Sequence, residues 1–572
     1  MDASIFFVIV GAVAVAAVAR WRGWPAPLLV TVVALAASFL DFVPNPSMDG
    51  HVLLNLVLPP LLYSAALDVS FVSFTRAMPQ IRRLGIGLVV VTTVVVGLVA
   101  WLLMPELTLP GALLLGAIVA PPDAVSAAAI GRKLGLPRRV MTVLSGESLI
   151  NDATSLTLYR VLAAAVVAGS TTFNLGSAIW QFVVAVFMGV LIGVLFGAAM
   201  HQLRMRSDDP VITGTFGLLA PFGAYAIAEE LGGSGVLAVV AMGLFVGFNA
   251  PRTSYTTRQQ EAPLWLSADF LLESFVFAYI GLQLPRVVSE LNDGEVGPVI
   301  GLSGVVLLVV LLVRPLFVYP ANAWGQWWTR MRLRKWEQMK LRGASAPVSR
   351  TRRGREELTD QQLRQRLSET KLSWRDNAVI SWAGMRGVVT LATALAASDL
   401  ARLDERAAHA LVVVAFVVTV GTLLLQGLTL PWVIRWLKVI DGSEAQEDAR
   451  QMAAVRERSR EAGKAYLRDK RTEWAQERGE GALREFDLFA KRLVRVELDA
   501  ETAQIDLQQP RMTQDDLMAM SKGWLAVRRQ LLLEERDAGN LSEEVMHELI
   551  TAIDAEELAL DTRVATRGQS RP

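Results

Sequence analysis

The sequence has no cysteine and only four histidines, His51, His201, His409 and His547, far apart along the chain. The first absence excludes disulfides and thiolate metal sites. The second, with no HExxH pair, leaves zinc-hydrolase chemistry without support. Charge is scarce too: 19% of residues are charged and the net charge is +1, so there is no basic footprint for nucleic acid. The first apolar stretch lacks a basic region before it and a small-residue cleavage site after it. It is expected to remain as a span rather than be removed as a signal peptide.

What the chain has in quantity is apolar length. Hydrophobic residues make up 52% of it and mean hydropathy is +0.38. A spanning helix needs ~20 mostly apolar residues, and about thirteen stretches qualify, the first near 4–19 and the last near 406–438. Charge collects between Arg330 and Arg375 and after Asp441. The pattern predicts an all-α polytopic membrane protein. Residues 1–325 hold transmembrane helices 1–11, 326–375 form a basic cytoplasmic loop, and 376–440 hold helices 12–13. Residues 441–572 form a soluble helical tail that is regulatory or supports a dimer. Within the tail, Leu531–Arg536, then Asp537-Ala538-Gly539-Asn540, then Ser542 opening Glu543–Leu560 reads as a helical hairpin.

The loops test this count. Arg20 and Arg22 follow the first span, Arg76, Arg82 and Arg83 the third, and Arg132, Lys133, Arg138 and Arg139 the fifth. Arg204 and Arg206 follow the seventh, and Arg252 and Arg258 the ninth. The intervening loops are nearly free of basic residues, with Arg286, Arg402 and Arg406 as single exceptions. Cytoplasmic loops carry the positive charge. The N-terminus is therefore expected outside and the tail in the cytoplasm of a cell with this protein in its inner membrane.

Two stretches carry chemistry. The first is Gly146–Arg160. On a helix, Glu147 and Asn151 lie one turn apart, as do Ser148 and Asp152, so they make one polar stripe on an apolar helix. Such a stripe faces a protein interior or a watery path, and ionisable groups inside a membrane are functional candidates by default. The second is 116–127, where Pro121 and Pro122 fall in mid-membrane. They remove two backbone donors and stop the helix, freeing carbonyls near Leu115–Val119. Such a break is tolerated only inside protein or along a cavity. Asp123 follows at once. Freed carbonyls beside a carboxylate make a hard-oxygen site for a small cation. The plainer reading is a proline kink with Asp123 capping the second half-helix, and the two are compatible.

These stretches occur in an order that resembles a known family. Glu-Ser-Leu-Ile-Asn-Asp-Ala at 147–153 resembles the signature helix of the monovalent cation/proton antiporters of the sodium/proton exchanger type. Leu58-Pro59-Pro60-Leu61-Leu62 resembles the family's early Pro-Pro helix, and Ala120–Ser126 its crossing-helix motif. Phe275–Pro285 and Trp382-Ala383-Gly384-Met385-Arg386-Gly387 resemble its late helices. The tail resembles that of the bacterial branch. The resemblance implies a thirteen-helix inverted-repeat fold, usually dimeric, with an unwound crossing helix. It also implies transport of monovalent cations and protons, with no cofactor and no enzymatic activity. Asp152 matches the ion- and proton-carrying carboxylate, Asp123 the acid of the crossing helix, and Ser148 a hydroxyl ligand to Na⁺. Asn151 matches the electroneutral branch. Glu147 and Arg386 match a buried pair that braces the core. The chain departs at Pro122, where relatives often have Thr, and at Ser64, where several relatives have an acid.

Function then follows as competition. Ionised Asp152 holds Na⁺ with Asp123, Ser148 and a freed carbonyl, and protonated Asp152 releases it. The doubly ionised empty core costs several kcal/mol to move, which enforces exchange. Arg314, before Pro315, lies in the ion path or satisfies carbonyls that its proline frees. Asp269 and Glu273, one turn apart, sit at a watery interface or line the cytoplasmic funnel. Glu229 is expected at a wet span end, and Arg160 is expected to snorkel outward. The rival readings are a K⁺/H⁺ antiporter, an organic-anion carrier, an intramembrane aspartyl protease and a channel. Two acids with no unpaired base in the stripe disfavour an anion, and the GxGD pattern of the protease is absent.

Overall fold

The computed structural model describes residues 3–40, 43, 50–104, 106–169, 175–207, 209–289, 296–341, 348–351, 354–357, 369–398, 400, 403–439, 443–496, 514–538 and 541–568. The loops at 44–49 and 170–174, Arg402, most of 342–368 in the basic segment, and the Gly539-Asn540 turn lie outside the described residues.

Nine helices among the described residues are long and apolar enough to cross a membrane. They are Ile5–Arg22, Gly50–Leu67, Phe71–Leu103, Ile179–Arg206, Val211–Glu230, Gly235–Arg252, Tyr255–Leu282, Val296–Leu341 and Glu405–Leu437. Three shorter apolar helices accompany them: Ala26–Ala37, Leu109–Val119 and Val388–Ser398. Arg138–Ala168, with 31 residues, has the length to cross but carries the polar stripe.

Parts of the expected loops are helical. Arg76, Arg82 and Arg83 lie within Phe71–Leu103, which begins on the Ser70 hydroxyl accepting the Ser73 N–H at 3.2 Å. The Val296–Leu341 helix runs 46 residues, well past the end of its apolar part. At 1.5 Å per residue it is about 70 Å long, more than twice a bilayer core. No glycine or proline falls between Gln326 and Leu341 to stop it. A two-stranded antiparallel ribbon, Val348–Thr351 with Gly354–Glu357, stands in the basic segment.

Small residues set the closest approaches. A methyl on Gly189 or Gly193 would strike the backbone of Ser234 or Ala238, so Leu175–Arg206 and Gly235–Asn249 touch backbone to backbone. The same holds for Gly116 against Thr93, which seats the short Leu109–Val119 helix on Phe71–Leu103.

The chain divides into two units. One is Met1–Ala250 with Thr257–Asp441, and the other is Pro251–Thr256 with Gly442–Pro572. The second has its own core, including Phe486, Trp524, Leu532 and Met546. Its helices are Ser443–Arg478, Leu483–Val496, Gln514–Asp537 and Glu543–Gly568, the last opened by the Ser542 hydroxyl accepting the Val545 N–H at 3.4 Å.

Candidate functional site

The Leu109–Val119 helix starts on a Thr108 cap and stops at Val119, and helix resumes at Ala124. Pro121 and Pro122, which have no N–H to donate, occupy the gap. A second break faces it. The sequence suggested one span over 376–398, but the structure has Trp374–Trp382, a non-helical Ala383–Gly387, then Val388–Ser398. Gly384 and Gly387 are the local signal for it. A methyl on Gly384 would strike the Arg314 side chain, and one on Gly387 the Asp123 carboxylate. The breaks join directly, since the Asp123 N–H donates to the Met385 carbonyl.

The carbonyls freed by the breaks are largely taken by side chains. Ser155 donates to Ala117 O at 2.8 Å, and Asn151 Nδ2 to Pro122 O at 2.7 Å. Arg386 donates from Nε to Val119 O at 3.1 Å and from Nη2 to Ala120 O at 3.4 Å, and it also donates to Gly384 O. Leaving such a group bare would cost ~1–3 kcal/mol each. What remains of Pro122 O for an ion is its second lone pair. Asn151 therefore ties the stripe helix to the proline break, while its own Oδ1 is buried without a partner among the described residues.

This occupation of Arg386 corrects one expectation. Glu147 is paired with Arg314, not with Arg386. Arg314 Nη1 and Nη2 donate to the two Glu147 oxygens at 2.6 and 3.0 Å, and both side chains are only 2% exposed. The planar fork of Arg314 faces the carboxylate with two parallel bonds, while that of Arg386 is spent on carbonyls. Arg314 Nε reaches further, to Ile380 O at 3.0 Å, one of the last carbonyls before the second break. Arg160 pairs with Glu229 and donates to Gly233 O at 3.2 Å.

Between these braces lies a cavity of about 170 Å³. Its walls include Asp123 and Pro121 from the first break, Ser148 and Asp152 from the stripe, Thr390 after the second break, and Asp269 with Glu273 from Tyr255–Leu282. At ≈30 Å³ per water in the liquid, there is room for several waters or a hydrated ion. Asp152 is 7% exposed and has no hydrogen-bond partner among the described residues. Ser64, 5% exposed, donates to Asp269. Thr390, 1% exposed, has a hydroxyl without a partner among the described residues, and nothing in the sequence singled it out. The cavity thus gathers Asp123, Ser148, Asp152 and Glu273. Glu147, Asn151, Pro122, Arg314 and Arg386 stand behind its walls.

The profile of the transmembrane sodium/hydrogen exchangers matches residues 5–436, about three quarters of the chain. The chain belongs to the sodium/hydrogen exchanger family. An uncharacterised Na⁺/H⁺ exchanger of Mycobacterium tuberculosis is 31% identical over 553 residues, covering 95% of this exchanger and 92% of that protein. The Na⁺/H⁺ antiporter ApNhaP of Aphanothece halophytica is 28% identical over 428 residues, covering 74% and 72% of the two chains. In fold, this exchanger is similar to the sodium proton antiporter MjNhaP1 of Methanocaldococcus jannaschii. The TM-score is 0.56 at 17% identity, over 76% of this exchanger and 97% of that chain. The exchanger is thus an all-helical, multi-pass membrane protein in its membrane part. It is a secondary transporter of Na⁺ and H⁺ and not an enzyme, and its family needs no cofactor.

Proposed function

We propose that this exchanger moves Na⁺, or Li⁺, against H⁺ across the cytoplasmic membrane, one for one, by alternating access. Cation and proton take turns at Asp152 and Asp123, with Ser148 as a hydroxyl ligand. The observation that carries this reading is the state of Asp152: buried, lining a cavity, and given no hydrogen-bond donor by any described residue. A carboxylate so placed must bind something, and H⁺ and a small cation are the two loads that neutralise it. Asp123 lines the same cavity and supplies the second charge. An empty core keeps both charges and does not cross.

Loop charge supports the N-terminus outside and the tail in the cytoplasm. The four-helix tail acts as a regulatory element, and two copies assemble as a dimer in keeping with the family resemblance. Ion-driven proton flux in proteoliposomes tests the central claim, with Na⁺, Li⁺ and K⁺ supplied in turn. Na⁺ and Li⁺ are expected to drive flux that Asp152→Asn abolishes. Full exchange in that variant sinks the competition reading, and flux driven by K⁺ alone sinks the choice of ion.

A further inference from the structure

Not every acid of the cavity stands on the crossing breaks or the stripe. Tyr255–Leu282 adds Asp269 and Glu273, one turn apart on one face. Like charges at that spacing destabilise a helix. Arg132 is the single basic residue among the lining side chains, against Asp68, Asp123, Asp152, Asp269 and Glu273. Asp269 is held in place all the same. One carboxylate oxygen accepts the Ser64 hydroxyl from the facing Leu58–Leu67 helix, and the other, Oδ1, is buried with no partner among the described residues.

Two features leave the cavity open to a cation. Asp152, 93% buried, lines it with no hydrogen-bond partner among the described residues, and Thr390, 99% buried, lines it with a hydroxyl that likewise has none. Oxygens in two walls are thus left without a partner from the described residues. Among the described residues, however, no three Asp, Glu or His side chains are grouped closely enough to hold one metal ion. Asp269 is therefore not another ligand beside Asp123 and Asp152.

We propose that Asp269, seated on Ser64, is a cation-recruiting carboxylate that sets the apparent Na⁺ affinity of the exchange site. It raises the local cation concentration in a narrow, low-dielectric chamber. The idea rests on the reading of Asp152 and Asp123 given above. Because Ser64 and Asp269 touch, exchanging their roles moves the carboxylate across one hydrogen bond and leaves it in the same chamber.

The test is Na⁺-driven proton flux in proteoliposomes over a Na⁺ series, using the full chain. Asp269→Asn keeps an acceptor for the Ser64 hydroxyl and removes the charge. Its half-saturating Na⁺ concentration is expected to rise roughly tenfold, equivalent to ~1.4 kcal/mol, with the maximal rate kept within about twofold. The double variant Ser64→Asp with Asp269→Ser is expected to return half-saturation to near the parent value. An unchanged half-saturation in Asp269→Asn overturns the proposal. So does a rise that the double variant fails to reverse, or one that Ser64→Ala reproduces in full, since the hydrogen bond would then be what matters. If Asp269→Asn does not reconstitute, the double variant decides alone, with parent-like half-saturation supporting the proposal and a raised value refuting it. Asp152→Asn runs in parallel. Exchange surviving there refutes the site itself, whereas exchange lost there with Asp269→Asn unchanged refutes only the recruiting role.

Discussion

The Glu147–Arg314 pair gives the sharpest quantitative test. Its shorter contact is 2.6 Å and both side chains are 2% exposed. At an effective dielectric of ~20, opposite unit charges at that distance attract by about 6 kcal/mol. Desolvation offsets part of this, and breaking a buried pair by removing one partner costs ~3–5 kcal/mol overall. Glu147→Gln and Arg314→Gln are each expected to lose an amount in that range. The double variant should lose clearly less than their sum, because it leaves no buried charge unpaired. That gap, the coupling energy, should reach about 2–3 kcal/mol. The companion cycle replaces Arg314 with Arg386. Its coupling to Glu147 should stay below roughly 1 kcal/mol, since Arg386 is spent on the carbonyls of Val119, Ala120 and Gly384. Arg386→Gln alone should still destabilise the fold by ~1–3 kcal/mol, through bare carbonyls rather than a bare carboxylate. The assay is reversible unfolding of the detergent-solubilised protein, followed by fluorescence, for both cycles. Equal coupling of Glu147 to the two arginines would falsify the assignment, as would single Glu147 or Arg314 variants as stable as the parent.

Asn151→Ala should destabilise by ~1–3 kcal/mol, because it strips the donor from Pro122 O, and unfolding by the same titration checks it. Gly116→Ala should cost ~1–3 kcal/mol by pushing Leu109–Val119 off the Thr93 backbone, and Gly214→Ala, where a methyl meets nothing, is its neutral control. The half-saturating Na⁺ concentration should rise as pH falls, since protons then hold the shared carboxylates. Flux measured at several pH values with a fixed gradient reads this, and a half-saturation independent of pH refutes it. In the tail, Trp524→Ala should cost ~3–5 kcal/mol in that unit, because Trp524 is 2% exposed and lies against Gly463. Limited proteolysis of 443–568 in the full chain should show earlier cleavage.

Several features could be read along the chain because they depend on local composition. A helix in lipid satisfies its own backbone, so an apolar run of sufficient length declares itself without knowledge of its neighbours. Tandem Pro121 and Pro122 announce a break for the same reason: the loss of two donors is a property of those residues alone. The second break was harder to see. Gly384 and Gly387 are two among 43 glycines, and many of the others mark close packing inside helices rather than a break.

The partner of Glu147 was beyond local reading altogether. Arg314 and Arg386 both lie in apolar surroundings far along the chain, and nothing in either neighbourhood favours one over the other. The choice fell to the crossing of the two breaks, which places three carbonyls around Arg386 and leaves Arg314 to face the acid. Asp269 is similar: its own helix shows only a carboxylate one turn from another, while the Ser64 hydroxyl that seats it comes from a helix some two hundred residues earlier. Hydropathy adds up residue by residue and so survives in a linear string. The pairing of buried charges depends on which walls meet, and that exists only once the helices have packed.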